Sequence, residues 1–186
     1  MHARIVVLAS GSGSTLQSIL DDPQLRPRVV AAGTDVPDCV AMQRASEAGV
    51  ETFAVALRDH PDRVAWNDAL AEEIAKYEPD LVVLAGFMRI LGPKVVARFR
   101  MVNTHPALLP AFPGAHAVRD ALAAGVATTG VTVHWVDEGV DTGPVIAQVS
   151  VPVEPGDTED TLRERIQAAE KPLYTNTIRG LLMENS

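Results

Sequence analysis

Two apolar runs constrain this chain most: Ile5-Val6-Val7-Leu8-Ala9-Ser10 and Asp80-Leu81-Val82-Val83-Leu84-Ala85-Gly86. Both are continuous rather than alternating, the mark of a strand covered on both faces, as in parallel sheets flanked by helices. The second is the more hydrophobic, so it is expected near the sheet centre. Between them the pattern alternates. Arg28–Gly33 and Thr52–Val55 read as strands, and Cys39–Ala48 as a helix closed by Gly49. Asp62–Tyr77 reads as an amphipathic helix with Trp66, Leu70, Ile74 and Tyr77 on one core-facing stripe.

A Gly-rich turn, Gly11-Ser12-Gly13-Ser14-Thr15, follows the first run, and a helix is expected from Leu16. Strand, Gly-rich turn and helix together offer backbone N–H groups and a helix dipole to a phosphate. Neither the full dinucleotide spacing nor a P-loop lysine is present. A mononucleotide phosphate is the better reading, with an unliganded tight turn as the alternative. After Leu81–Ala85 comes Gly86-Phe87-Met88-Arg89-Ile90-Leu91-Gly92, where exposed Phe, Met, Ile and Leu would form a slot for a flat ligand or pack beneath a neighbouring loop. Pro93 opens a short helix through Phe99.

Met101-Val102 leads into Asn103-Thr104-His105, and Pro106, Pro110 and Pro113 then forbid a helix or central strand. Asn103 and His105 therefore sit where a strand gives way to a rigid loop, the edge at which open α/β sheets place ligands. If the chain stays extended, both side chains point the same way. The plain alternative is a Pro-rich loop whose Asn and His satisfy nearby backbone groups. Ala115–Ala124 reads as a helix, and Thr129–Val136 and Pro144–Val153 as strands. The connection between those strands is too short for a crossover helix, so the pair is antiparallel. Asp157 or Thr158 caps a last helix with Leu162, Ile166, Ala169 and Leu173 on one face, and Pro172 is expected to bend or interrupt it. The expected architecture is a three-layer, Rossmann-like α/β domain, a mostly parallel sheet with antiparallel C-terminal strands.

Composition narrows function. The 186 residues carry 24 acidic against 16 basic side chains, a formal net charge of -8, and no Lys/Arg-rich stripe, which excludes a general nucleic-acid surface. The single Cys39 cannot form an intramolecular disulfide or a cysteine metal cluster and suits a reducing cytosol. The chain enters a strand directly after Arg4, leaving no room for a signal peptide, and no apolar run reaches the roughly 18–20 residues of a membrane span. A soluble cytoplasmic protein is expected.

His105, His116, His134 and Asp141 could converge on a metal, but no ligand motif occurs and no metal is expected. A serine hydrolase lacks its nucleophile elbow, and Cys39 is remote in sequence from the histidines. Direct transfer between two bound substrates remains. Asn103 donates to a developing oxyanion, His105 donates as imidazolium or shuttles a proton, and Asp141 orients the imidazole and favours its protonated form. That set suits acyl transfer to an amine through a tetrahedral intermediate.

Four blocks, Ser10–Gln17, Leu84–Leu91, Asn103–Gly114 and Val140–Ile146, resemble the glycinamide ribonucleotide formyltransferases, folate-dependent enzymes of purine biosynthesis, in the same order and over nearly the whole chain. The resemblance implies a single formyltransferase domain over 1–186, with a nucleotide- and phosphate-binding half to about residue 100 and a catalytic, folate-binding half beyond it. It implies Asn103, His105 and Asp141 as catalytic residues. Gly11, Ser12, Gly13, Ser14, Thr15 and Glu170 would hold the ribonucleotide. Arg63, Met88, Arg89, Ile90, Leu91, Asp137, Glu138, Gly139 and Val140 would hold the folate. The implied cosubstrate is 10-formyltetrahydrofolate, without a metal, and the implied assembly is a monomer or homodimer acting on small molecules. Thr15 stands where the family usually has Asn, Val118 where a second His often follows His116, and Pro172 where no proline is expected. Formyltetrahydrofolate deformylases share the Asn–His–Asp set but usually carry an added N-terminal regulatory domain, for which no space is expected before Arg4. Methionyl-tRNA formyltransferases add a C-terminal nucleic-acid domain and a basic surface, neither of which is expected here. A non-catalytic nucleotide-binding module is the remaining alternative.

Overall fold

The computed structural model describes residues 3–184, which divide into two units at the junction of Val102 and Asn103. The first unit holds β1 (Ile5–Leu8), α1 (Ser14–Leu20), β2 (Val29–Thr34), α2 (Val40–Glu47), β3 (Glu51–Ala54), α3 (Arg63–Ala75), β4 (Leu81–Leu84), α4 (Pro93–Arg98) and the start of β5 (Met101–His105). β1 pairs in parallel with both β2 and β4, β2 with β3, and β4 with β5. Every residue of β1 and β4 is buried, as their unbroken apolar runs require.

The first helix starts at Ser14, two residues before the expected Leu16. Gly13 caps it with φ 74°, and a Cβ at this position would lie 2.6 Å from the Ala41 backbone. The turn can therefore pass this close to α2 only with glycine. Asp62 caps α3 by accepting from the Ala65 amide at 2.8 Å. Trp66, Leu70 and Ile74 are buried as expected, but the helix ends at Ala75 and Tyr77 leaves the stripe. The Tyr77 ring stacks on Phe53 instead, with centroids 5.5 Å apart.

In the second unit, α5 (Ala117–Ala123), β6 (Thr128–Trp135), β7 (Val145–Pro152) and α6 (Glu159–Met183) follow the end of β5. β6 and β7 are antiparallel, as their short connection dictates, with a register irregularity between Val133 and His134. Val118, Val131, Val151, Leu162 and Ile166 form a buried cluster, and Ala169 and Leu173 pack against it. Thr158 caps α6 and exchanges bonds with Thr161 in a capping box. Contrary to an interruption at Pro172, α6 runs on to Met183. Proline removes one backbone bond at a cost of about 3 kcal/mol. Burial of Leu162 and Ile166 before it, and of Tyr174, Ile178, Leu181 and Leu182 after it, outweighs that cost.

The strand order is β3-β2-β1-β4-β5-β6-β7 in one seven-stranded sheet, with the hydrophobic β4 in the middle position. This is the expected mostly parallel sheet with antiparallel C-terminal strands.

Candidate active site

β5 stays extended through His105, so Asn103 and His105 share one face of the strand. His105 is almost wholly buried, and each ring nitrogen faces an oxygen. Nδ1 lies 3.3 Å from Asp141 Oδ2, and Nε2 lies 2.7 Å from the Phe112 carbonyl oxygen. A ring carrying both protons donates on both sides. The Asp141 carboxylate, itself largely buried, also accepts from the Gly114 amide at 2.8 Å through Oδ2. Asp141 has φ 56°, a left-handed conformation that costs a non-glycine residue energy and recurs at functional sites.

His134, considered from sequence only as a metal ligand, belongs to this constellation. It is buried on β6, with Nε2 3.4 Å from Asn103 Nδ2 and 3.7 Å from Asp141 Oδ1. Its Nδ1 lies 2.9 Å from the Trp135 carbonyl oxygen, which can only accept, so the proton of the neutral ring sits on Nδ1. Nε2 is then free to accept from the Asn103 amide and fix which way it points. A histidine inside a predicted strand looks like a core residue; only the tertiary structure shows its contacts with Asn103 and Asp141.

The loop after His105 is pinned from β6 and β7. Thr132 Oγ1 donates to the Ala107 carbonyl oxygen at 2.7 Å and accepts from the Leu109 amide at 3.0 Å. Gln148 Nε2 donates to the Leu109 carbonyl oxygen and to Thr132 Oγ1, each at 2.9 Å. In the β6–β7 connection, Asp137 accepts from the Thr142 hydroxyl at 2.6 Å and the Gly139 amide at 3.0 Å. The Thr142 hydroxyl, first among its partners, holds the Asp137 carboxyl below its usual range. Glu138, Gly139 and Val140 are exposed around it. Glu170 is half-buried within α6.

In the first unit, Gly11 and Ser12 are exposed in the turn after β1, whereas Ser14 and Thr15 lie in the first turn of α1 rather than in the loop. Arg44 Nε donates to the Ser12 carbonyl oxygen at 2.8 Å and steadies the turn. Beyond β4, Met88 and Ile90 are exposed at 75% and 58%, but Leu91 is buried. Phe87 is half-buried and stacks on Trp66, with centroids 6.4 Å apart. The expected slot of four exposed apolar side chains is thus corrected to two, because Phe87 and Leu91 turn inward. Arg63 Nη2 donates to the Ile90 carbonyl oxygen at 2.7 Å, and Arg89 Nε pairs with Asp35 Oδ2 at 2.7 Å. Among the described residues, no three His, Cys, Asp or Glu side chains could together hold a metal ion, and no helix is long and apolar enough to cross a membrane.

The formyl transferase family matches residues 3–178. A phosphoribosylglycinamide formyltransferase of Mycobacterium tuberculosis is 56% identical over 183 residues, covering 96% of this chain and 85% of that protein. That of Escherichia coli is 43% identical over 175 residues, covering 91% and 82%. The crystal structure of glycinamide ribonucleotide transformylase 1 from Symbiobacterium toebii superposes with a TM-score of 0.95 at 44% identity, covering 98% of this chain and 89% of that one. The chain belongs to the formyl transferase family.

Proposed function

We propose that the chain transfers the formyl group of 10-formyltetrahydrofolate to the amine of glycinamide ribonucleotide, giving formylglycinamide ribonucleotide and tetrahydrofolate in purine biosynthesis. The observation that carries this reading is the pairing of the buried His105 with Asp141, with Asn103 two residues before His105 on the same face of β5. Its support from outside the site is the naming of the relatives as phosphoribosylglycinamide formyltransferases.

The substrate amine attacks the formyl carbon, a C–N bond forms, and the carbonyl oxygen takes up the negative charge. The Asn103 amide, aimed by His134, donates one N–H to that oxygen. His105 exchanges its Phe112 partner for the same oxygen, and Asp141 holds the ring from the other side. Such donors stabilise the tetrahedral intermediate more than the ground state. Collapse breaks the bond to the folate nitrogen, which takes up, as it leaves, the proton that the attacking amine gives up.

Gly11, Ser12, Gly13, Ser14 and Thr15 bind the ribonucleotide phosphate and Glu170 its polar part. Arg63, Met88, Arg89, Ile90 and Leu91, together with the backbone of Asp137, Glu138, Gly139 and Val140, bind the folate. The two halves, to about residue 100 and beyond, work as one formyltransferase domain, in the cytoplasm, as a monomer or homodimer and without a metal.

An absorbance assay for loss of 10-formyltetrahydrofolate, with and without glycinamide ribonucleotide, tests this. Turnover that needs the ribonucleotide supports transfer. Turnover indifferent to it means a deformylase, and no turnover, with both ligands still protecting the chain against heating, means a non-catalytic binding module.

A further inference from the structure

Asp35, which follows β2, spends both carboxylate oxygens on two loops at the adjacent strand ends. Oδ1 accepts from the Ser10 hydroxyl at 2.5 Å, and Oδ2 accepts from Arg89 Nε at 2.7 Å. Ser10 Oγ in turn accepts from the Met88 amide at 2.9 Å. Ser10 ends the segment leading into the Gly-rich turn, and Met88 and Arg89 lie on the loop after β4. One carboxylate thus ties the root of the first loop to the backbone and side chain of the second.

The burial of this network is lopsided. The Asp35 side chain is 2% exposed and the Arg89 side chain 39%. The pair also lines an open cleft of about 210 Å³ together with Val36–Pro37 and Ala56–Arg58. A carboxylate this buried costs free energy unless it is paired and hydrogen-bonded, and as a stability device such a pair gains little over apolar packing. What it does supply is direction. Asp35 uses only Nε of the guanidinium, so the two Nη groups keep their donors for another acceptor. A flexible arginine whose Nε is clamped loses fewer conformations when it binds.

We propose that Asp35 is a positioning residue: it fixes Arg89 directly and the Met88 backbone through Ser10, and so presets the loop that receives the carboxylate-bearing folate. This rests on the assignment of Met88 and Arg89 to folate binding. Asp35 touches no reacting atom, and its influence is on folate capture rather than on the chemical step.

The test is Asp35→Asn in the full chain. The amide still accepts from Ser10 but removes the charge that holds Arg89. Hydrogen exchange at residues 86–91 is expected to accelerate about tenfold or more, the scale of a lost charge-assisted bond. Exchange in β1 and β4 should be unaltered. In the steady state, KM for 10-formyltetrahydrofolate is expected to rise about tenfold, with kcat and KM for the ribonucleotide within about twofold. Ser10→Ala, which frees the Met88 amide and leaves the ion pair, should accelerate the same exchange and serves if Asp35→Asn does not fold.

Unchanged exchange at residues 86–91 in whichever variant folds would overturn the restraint, whatever the activity. Faster exchange with an unchanged folate KM, or a loss confined to kcat, would overturn its role in folate capture. Faster exchange in a chain whose parent does not bind 10-formyltetrahydrofolate would leave Asp35 as a loop restraint and refute the folate reading of that loop.

Discussion

Asp141 reaches His105 from a strained backbone: with φ 56°, its Oδ2 comes within 3.3 Å of the imidazole Nδ1. The same oxygen accepts the Gly114 amide, so the carboxylate joins the β6–β7 connection to the loop after β5. Asparagine tolerates this left-handed conformation and can still accept from Gly114, but carries no charge toward His105. Asp141→Asn should therefore melt within a few degrees of the parent and lose about 10²-fold or more in kcat, in line with losing an imidazole-orienting carboxylate. Thermal melts and steady-state kinetics check this; a kcat within tenfold of the parent would remove Asp141 from the mechanism.

Asn103 and His134 should act as one unit, because the amide proposed to serve the oxyanion is also the one 3.4 Å from His134 Nε2. Asn103→Ala should lower kcat about 10²- to 10³-fold, the scale of one oxyanion donor. His134→Ala should cost about tenfold, and should cost almost nothing more when Asn103 is already alanine. Additive losses in the double variant would show that His134 works through some other group.

Gly143 leaves no room for a side chain: a Cβ there would lie 1.7 Å from the Trp135 carbonyl oxygen. Trp135 and Pro144 are joined by a backbone bond at 2.9 Å, so the clash cannot be relieved without moving the connection that carries Asp141. Gly143→Ala is expected to reduce kcat about tenfold or more and to lower the melting temperature, by analogy with overpacked sites that cost about 1–3 kcal/mol. A variant with parental rate and stability would mean that the connection can re-form around the methyl group.

Asp157 gives the second unit a defined acid sensitivity. Arg165 grips both its oxygens, at 2.7 and 3.0 Å, and the Glu154 amide and Thr161 hydroxyl add further bonds. The guanidinium first, and these donors with it, hold the carboxyl well below the usual carboxylate range. A carboxylate so depressed adds stability above its unfolded pKa of about 4, and that stability is lost as pH falls toward the folded value. Asp157→Asn should therefore melt below the parent at neutral pH, with the gap closing as pH drops below about 4. A gap that stays constant across that range would show that the pair contributes no pH-linked stability.

The sequence by itself determined the order of elements and most of the sheet. Unbroken apolar runs can only be buried strands, so β1 and β4 were legible, and β4 takes the central place its hydrophobicity implied. A short connection can only be a hairpin, so the antiparallel β6–β7 pair was legible too. Asn103 and His105 were readable as neighbours on one face because they stand two residues apart on an extended strand. Long-range placement decided the rest. Whether Pro172 breaks α6 depends on how much apolar surface is buried on either side of it. Whether Phe87 and Leu91 face outward depends on what lies beneath the loop. The contacts of His134 and Asp35 depend on partners brought up from other parts of the chain: Asn103 and Asp141 for the first, Ser10 and Arg89 for the second. Local pattern records how a residue suits its own element; only strand pairing sets which buried polar groups must satisfy one another.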